Sequence, residues 1–222
     1  MRNDDTRTDP PSPVPSSEFR APSSLPPLFV LSGPAGAGKN TVVDAVLKAC
    51  RFPLRRAVTA TTRDPRPGEQ AGVDYHFWPR ERFEQAIASE TELIEYAVVH
   101  GHDYYGTPRT EVDGARLSGS GVLLVIDVQG AAAVRRLYPD DHRSVFLDVP
   151  SVGELERRLR ARNTESEERI ARRLATAEQE MARAGEFDVR VVNDTVPNAT
   201  ARLLELIDHE FTQRGFSPCS TS

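Results

Sequence analysis

The chain has 222 residues, 38% hydrophobic and 27% charged, with a formal net charge of −5. That suits a globular protein with one sizeable core, and the acidic balance gives no general affinity for nucleic acid. No apolar run reaches membrane-spanning length and the N-terminus lacks the apolar core of a secretory signal; Cys50 and Cys219 form neither a disulfide framework nor a metal-ligand pattern, so a cytoplasmic setting without membrane or nucleic-acid partners is expected.

Residues 1–26 are rich in Pro, Ser and Asp and are expected to form a disordered tail. Leu28-Phe29-Val30-Leu31 reads as a buried strand stopping at Ser32-Gly33-Pro34. Asn40–Cys50 then spaces Val42, Val43, Val46 and Leu47 like one face of a helix. Arg56–Trp78 mixes β-branched residues with turn signals and predicts short strands and loops. A helix is expected over Arg80–Ser89, a strand over Glu92–Val99 and a helix over Thr110–Leu117, ending near Gly119. Val122–Ile126, Val145–Val149 and Val189–Val192 read as further strands, and Ser151–Ala161, Glu165–Ala184 and Ala199–Phe211 as helices. Alternating strands and helices predict an α/β fold around a largely parallel sheet. Arg56–Val99 breaks the alternation and reads as an inserted lobe.

Gly33-Pro34-Ala35-Gly36-Ala37-Gly38-Lys39-Asn40 matches G-x-x-x-x-G-K up to its last position. Glycines let the backbone curl so that successive N–H groups face a phosphate, and the following helix adds its positive end. Lys39 is placed to reach the β- and γ-phosphates of a nucleotide. A plain glycine-rich turn is the alternative. Asn40 stands where Ser or Thr normally gives Mg²⁺ a hydroxyl; its carboxamide oxygen is a different ligand, and Thr41 lies about 100° further round the helix. Asp127 ends an apolar strand, where an acid either orients Mg²⁺ or caps a helix. Arg63 and Arg66 stand three apart in a Pro-containing loop and form a possible phosphate clamp. The 155–174 region is dense in Arg, mostly matched by Glu.

Taken together, Gly33–Lys39, Thr61-Thr62-Arg63-Asp64-Pro65-Arg66-Pro67-Gly68-Glu69, Gly72-Val73-Asp74-Tyr75-His76-Phe77, Leu93-Ile94-Glu95, Tyr104-Tyr105-Gly106-Thr107, Ile126-Asp127-Val128-Gln129-Gly130 and Val191-Val192-Asn193-Asp194 strongly resemble guanylate kinases. The resemblance implies a P-loop NTPase fold with a central parallel sheet over residues 27–214. It also implies a mixed β/α GMP-binding lobe at about 56–106, a helical lid at about 155–172 and a flexible tail at 215–222. It implies ATP-dependent phosphorylation of GMP, and of dGMP, with Mg²⁺ accompanying ATP. Residues 33–41 (Gly33, Pro34, Ala35, Gly36, Ala37, Gly38, Lys39, Asn40 and Thr41) would bind ATP, with Asn193 beside the adenine. Arg63, Arg66, Tyr75 and Tyr105 would hold the GMP phosphate. Glu95 would accept from the guanine N1–H and 2-amino groups, with Thr59, Thr107 and Asp127 also at the GMP site. Lys39, Arg63, Arg158, Arg162 and Arg173 would act on the transferring group, and Asn40 and Asp127 are the metal candidates.

The sequence departs from the family pattern at several positions. Val125 stands where the family usually carries an Asp, Ala35 and Thr59 stand for Ser, and Ala161 and Asn163 stand for glycines. The Gly101–Tyr105 segment is one residue longer than usual. Two other readings remain: a kinase of the same fold acting on another phosphorylated acceptor such as a ribose bisphosphate, and a catalytically weak binding module.

Overall fold

The computed structural model describes residues 25–99, 102–161 and 167–219. Residues 1–24 of the expected N-terminal tail, and residues 162–166 around Arg162 and Asn163, lie outside that range, as do residues 100–101 and 220–222.

The first strand, β1 (Leu28–Ser32), is buried along its whole length. Because side chains alternate across a strand, Leu28 and Val30 feed one core while Phe29 and Leu31 feed another. A sheet covered on both faces needs this kind of continuous apolar strand. β1 passes through the Gly33–Gly38 loop into α1 (Lys39–Ala49), which buries Val42, Val43 and Val46. β2 (Leu54–Arg56), β3 (Ala60–Thr61) and β4 (His76–Phe77) are the short strands expected in the next segment. α2 (Arg80–Ala88) and β5 (Leu93–Val99) follow as predicted.

Asp103–Pro108 is a strand, β6, that the sequence did not predict. Its Gly106 and Pro108 read as breakers, yet Gly106 is required by close packing: a Cβ there would lie 2.7 Å from the Glu95 carbonyl oxygen. Helix was expected over Thr110–Leu117. The chain instead makes a wide π turn at Thr110–Gly114 before the single turn α3 (Ala115–Leu117). The remaining elements are β7 (Gly121–Val125), α4 (Val128–Leu137), β8 (Arg143–Asp148), α5 (Val152–Ala161), α6 (Glu167–Ala182), β9 (Val189–Val192) and α7 (Val196–Gln213). α7 starts three residues earlier than expected because Thr195 caps it, accepting from the Asn198 N–H, and Pro197 falls in its first turn, where a missing N–H costs nothing.

Among the described residues the strands form two sheets. The first is parallel throughout, in the order β2-β7-β1-β8-β9, which is the α/β architecture expected. The second is mixed, in the order β4-β3-β6-β5, and is inserted between β2 and β7. α1 and α7 cover one face of the parallel sheet, and α4 packs on the other. Glu111 ties the two sheets together. Its carboxylate accepts from Arg55 of β2 at 3.0 Å, lies 2.9 Å from the His76 Nε2 of β4, and takes the Val58 N–H at 3.1 Å.

The α7 face closes on an aromatic cluster. Phe211 is fully buried and stacks on Phe52 at 4.6 Å, with Phe29 at 6.3 Å and Phe216 at 5.7 Å. Phe211→Ala should therefore cost about 3–5 kcal/mol in urea unfolding; a loss below about 1 kcal/mol would mean the cluster does not anchor α7.

Candidate active site

The C-terminal ends of the parallel strands meet the inserted sheet across a cavity of about 360 Å³. Ligands of open α/β sheets bind at this edge. Gly33, Ala35, Lys39 and Asn40 line one end; Thr59, Tyr75, Glu95 and Tyr105 line the other, with Val125 and Asp127 between. The fold thus brings together residues from positions 33 to 127 that the sequence reading had assigned to one site. A smaller hollow of about 200 Å³ opens on the outer side of the loop at Gly36, Gly38, Lys39, Asn40 and Thr41.

The loop is rigid for identifiable reasons. Gly33 has φ +145°, and a Cβ there would lie 2.1 Å from the Leu147 carbonyl oxygen. The Ala37 N–H donates back to the Pro34 carbonyl at 3.0 Å. Beneath the loop, buried Asn193 donates through Nδ2 to the Ala37 carbonyl at 2.7 Å, while its Oδ1 is buried without a hydrogen-bond partner. Lys39 folds back on the loop and donates to the Gly33 carbonyl at 2.5 Å and the Pro34 carbonyl at 3.2 Å. Burial pushes the Lys39 ammonium pKa down, against the opposing pull of Glu180 and Asp127.

Glu180, on α6, did not stand out in the sequence. Its Oε2 is buried without a hydrogen-bond partner. Burial raises its pKa, with Lys39 and the Ala35 N–H acting against that rise. One Glu among many on an Arg/Glu-rich helix carries no signal of its own; only packing against the loop distinguishes it.

At the far end, Glu95 accepts from the Thr107 hydroxyl at 2.6 Å, and Thr107 is fully buried. Burial lifts the Glu95 carboxyl to about 7, the Thr107 hydrogen bond lowers it, and the charge of Asp127 raises it further. Glu95 lines the cavity, its second carboxylate oxygen lies close to Gly130 at the start of α4, and its protonation changes near neutral pH.

Arg63 is held on three sides. It donates through Nε to the Tyr105 hydroxyl at 3.0 Å and makes a two-pronged pair with Glu69 at 2.9 and 3.0 Å, and its guanidinium lies 5.4 Å from the Tyr75 ring centre. The Glu69 pairing raises its pKa. Glu69 thus occupies the fork that a phosphate would use. The Arg66 side chain is exposed and does not line the cavity; its N–H donates to Glu69 at 2.7 Å.

Asp127 caps α4, its Oδ1 accepting from Gln129 N–H at 3.0 Å and Gly130 N–H at 2.7 Å. The helix-cap reading therefore holds for that oxygen, while Oδ2 makes no hydrogen bond among the described residues. Val125 lines the cavity with an apolar surface. Arg158 pairs with Glu154 at 2.7 Å and donates to the Asn193 carbonyl at 3.0 Å, which brings α5 down onto the loop. Arg173 stands half-buried on α6, and Arg162 lies outside the described residues. Among the described residues no three His, Cys, Asp or Glu side chains gather into a metal cage, and no helix is long and apolar enough to cross a membrane.

Comparison with known proteins agrees with this geometry. The family model described as guanylate kinase matches residues 26–210. A guanylate kinase of Thermosynechococcus vestitus is 48% identical over 177 residues, covering 79% of this chain and 90% of its own. One from Streptomyces kasugaensis is 46% identical over 207 residues, covering 91% and 99%. The crystal structure of guanylate kinase from Anaplasma phagocytophilum superposes with a TM-score of 0.68 at 31% identity, covering 85% of this chain and 88% of that one. The chain belongs to the guanylate kinase family.

Proposed function

We propose that this chain transfers the γ-phosphoryl group of ATP in line to GMP, and to dGMP, giving ADP and GDP or dGDP. The observation that carries this reading is the pairing, across one cavity, of the Lys39 loop with the Glu95–Thr107 acceptor. A carboxylate matches the adjacent N1–H and 2-amino donors of guanine and finds no such pair on adenine. A sugar bisphosphate would leave that buried carboxylate unused, which disfavours the ribose bisphosphate reading. The intact Lys39 and Arg63 disfavour a silent binding module.

In this mechanism the ATP triphosphate rests on the curled backbone of residues 33–38 and the N-terminus of α1. Lys39 leaves the Gly33 and Pro34 carbonyls for the β- and γ-phosphates. Glu180 and Asp127 oppose the fall in its ammonium pKa that burial causes. Asn193, buried beneath the loop, supports the nucleotide end of the site by donating to the Ala37 carbonyl at 2.7 Å. On the acceptor side, Arg63 exchanges Glu69 for the GMP phosphate, with Tyr75, Tyr105 and the exposed Arg66 completing the clamp, and Thr59 beside the base. Arg158 of α5 and Arg173 of α6 act on the transferring group, a role that the family resemblance also gives to Arg162. The protein's contribution is positioning and charge neutralisation.

Mg²⁺ bound with a nucleotide commonly keeps several waters and takes only one or two protein carboxylates beside the phosphates. Asp127, through its uncommitted Oδ2, is the protein oxygen that would hold it, where it would neutralise phosphate charge; the Asn40 side-chain oxygen instead accepts from Arg56 at 3.4 Å. Turnover in the cytoplasm completes the reading.

Lys39→Ala should lower kcat by at least about 100-fold, the scale for a donor aimed at developing charge, with the circular dichroism spectrum unchanged. Near-normal turnover of that variant would remove the mechanism. The pH dependence gives a second expectation. Glu95 binds guanine as the carboxylate, and its pKa is raised to about 7. The ionised fraction therefore grows as pH rises, and KM for GMP should fall between pH 6 and pH 8. Glu95→Gln should raise KM and lose this step, while the titration of the nucleotide's own phosphate persists in both proteins. An identical pH profile in the two would show that Glu95 does not read the base.

A further inference from the structure

We infer that Arg56 is a further catalytic residue, one that grips the transferring phosphoryl group between the donor and acceptor nucleotides. The inference rests on the GMP kinase reading above and adds to it a residue that the family motifs in this sequence do not include.

Arg55 and Arg56 are neighbours on β2, so the pleat sends their side chains to opposite faces. Arg55 goes to Glu111 at 3.0 Å, in the tie between the two sheets. Arg56 goes the other way, into the cavity, and is the one arginine among the residues that line it. Its position is set by backbone: β2 pairs with β7 in the register Arg56↔Leu123, and the next N–H, of Ala57, donates to the Leu123 carbonyl at 3.1 Å. Arg56 therefore ends its strand at the ligand edge of the sheet.

Its partners distinguish it from the other arginines of the site. Arg63 is neutralised by Glu69 and Arg158 by Glu154. Arg56 has no carboxylate within ion-pair distance among the described residues. Its guanidinium meets only the Asn40 side-chain oxygen, at 3.4 Å. A neutral oxygen at that distance orients the fork without neutralising or locking it. A half-buried guanidinium left in that state is suited to a phosphate.

The location selects which phosphate. Asn40 is the first residue after the P-loop lysine, so one side of Arg56 faces the donor's terminal phosphates. Tyr75, from the inserted lobe, lines the same cavity as Arg56 and Asn40. Arg63 lies 5.4 Å from the Tyr75 ring centre on the acceptor side, and Arg56 enters the cavity from the end of β2. The space between Asn40 and Tyr75 is where the γ-phosphoryl group must pass on its way to the acceptor. This also accounts for the departure at position 40. A Ser or Thr hydroxyl is too short to steer a guanidinium arriving from β2, whereas a carboxamide oxygen reaches it. Asn40 is then a positioning residue for Arg56.

Contacts made mainly to the group in transit act on kcat more than on KM. The test compares the parent with Arg56→Gln, Arg56→Lys and Asn40→Ala. The measurements are steady-state kinetics with ATP·Mg²⁺ and GMP, and calorimetric affinity for three probes: ATP alone, GMP alone, and adenosine and guanosine joined 5′ to 5′ by five phosphates. Arg56→Gln should lower kcat roughly 10- to 100-fold, the range for removal of one charged donor, while each KM moves less than about threefold. Its affinity for the linked dinucleotide should fall by more than the product of its losses for ATP and GMP. Arg56→Lys, which keeps the charge and loses the fork, should fall between, and it serves as the decisive variant if Arg56→Gln melts early. Asn40→Ala should show a smaller kcat loss that disappears in an Arg56→Gln background. Unchanged kcat and unchanged dinucleotide affinity in both Arg56 variants would overturn the inference while leaving parent turnover, and so the kinase reading, intact. A parent that neither turns over GMP nor binds the linked dinucleotide would remove both.

Discussion

Lys39 carries its charge where water solvates it poorly, and much of the molecule is arranged around that fact. The ammonium is held against two loop carbonyls, with Glu180 behind it and Asp127 across the cavity. A buried cation of this kind is costly unless it is paired. The pairing comes from three places: the loop itself, α6, and the strand end at β7. Each must be fixed for the lysine to stay charged. The loop is fixed by Gly33 at a backbone angle and a closeness that no side chain permits, and by Asn193 beneath it. α6 is fixed by packing near the loop, and Asp127 by capping α4. The site is therefore a set of internal counter-ions and carbonyls, and in the proposed mechanism phosphates take the place of the carbonyls at Lys39.

The acceptor end follows the same logic with opposite sign. Arg63, a cation without substrate, is held by Glu69 in a two-pronged pair. Glu95, an anion without substrate, is stripped of water and titrates near 7. In both cases a protein group holds the side chain, Glu69 for Arg63 and the Thr107 hydroxyl for Glu95. Binding GMP would replace Glu69 with a phosphate and give Glu95 two donors. The site is prepared, and the preparation is electrostatic rather than geometric alone.

The sequence made legible what is contiguous. A phosphate loop is eight successive residues between a strand and a helix, so its pattern survives without knowledge of the fold. The parallel sheet was legible because its strands are continuous apolar runs, as burial on both faces demands. β6 was not, because Gly106 and Pro108 resemble breakers until Glu95 is seen lying against Gly106. α3 was shortened by a wide turn that periodicity does not encode. The candidate residues Lys39, Tyr75, Glu95, Tyr105 and Asp127 do converge on one cavity. Arg56, Glu69 and Glu180 had no distinguishable signal as site components, because what they do depends on partners brought close by folding. The exposed Arg66 and the capping oxygen of Asp127 show the converse: a residue can sit in the right motif while its resting contacts serve the scaffold.

The central claim is that the Glu95 end of the cavity selects the acceptor for the Lys39 end. It is tested most directly by ADP release from ATP·Mg²⁺ against a panel of GMP, dGMP, AMP, CMP, UMP and ribose 1,5-bisphosphate. The account predicts turnover with GMP and dGMP that exceeds every other acceptor by orders of magnitude. Silence across the panel, or faster turnover with the sugar bisphosphate than with GMP, would contradict it.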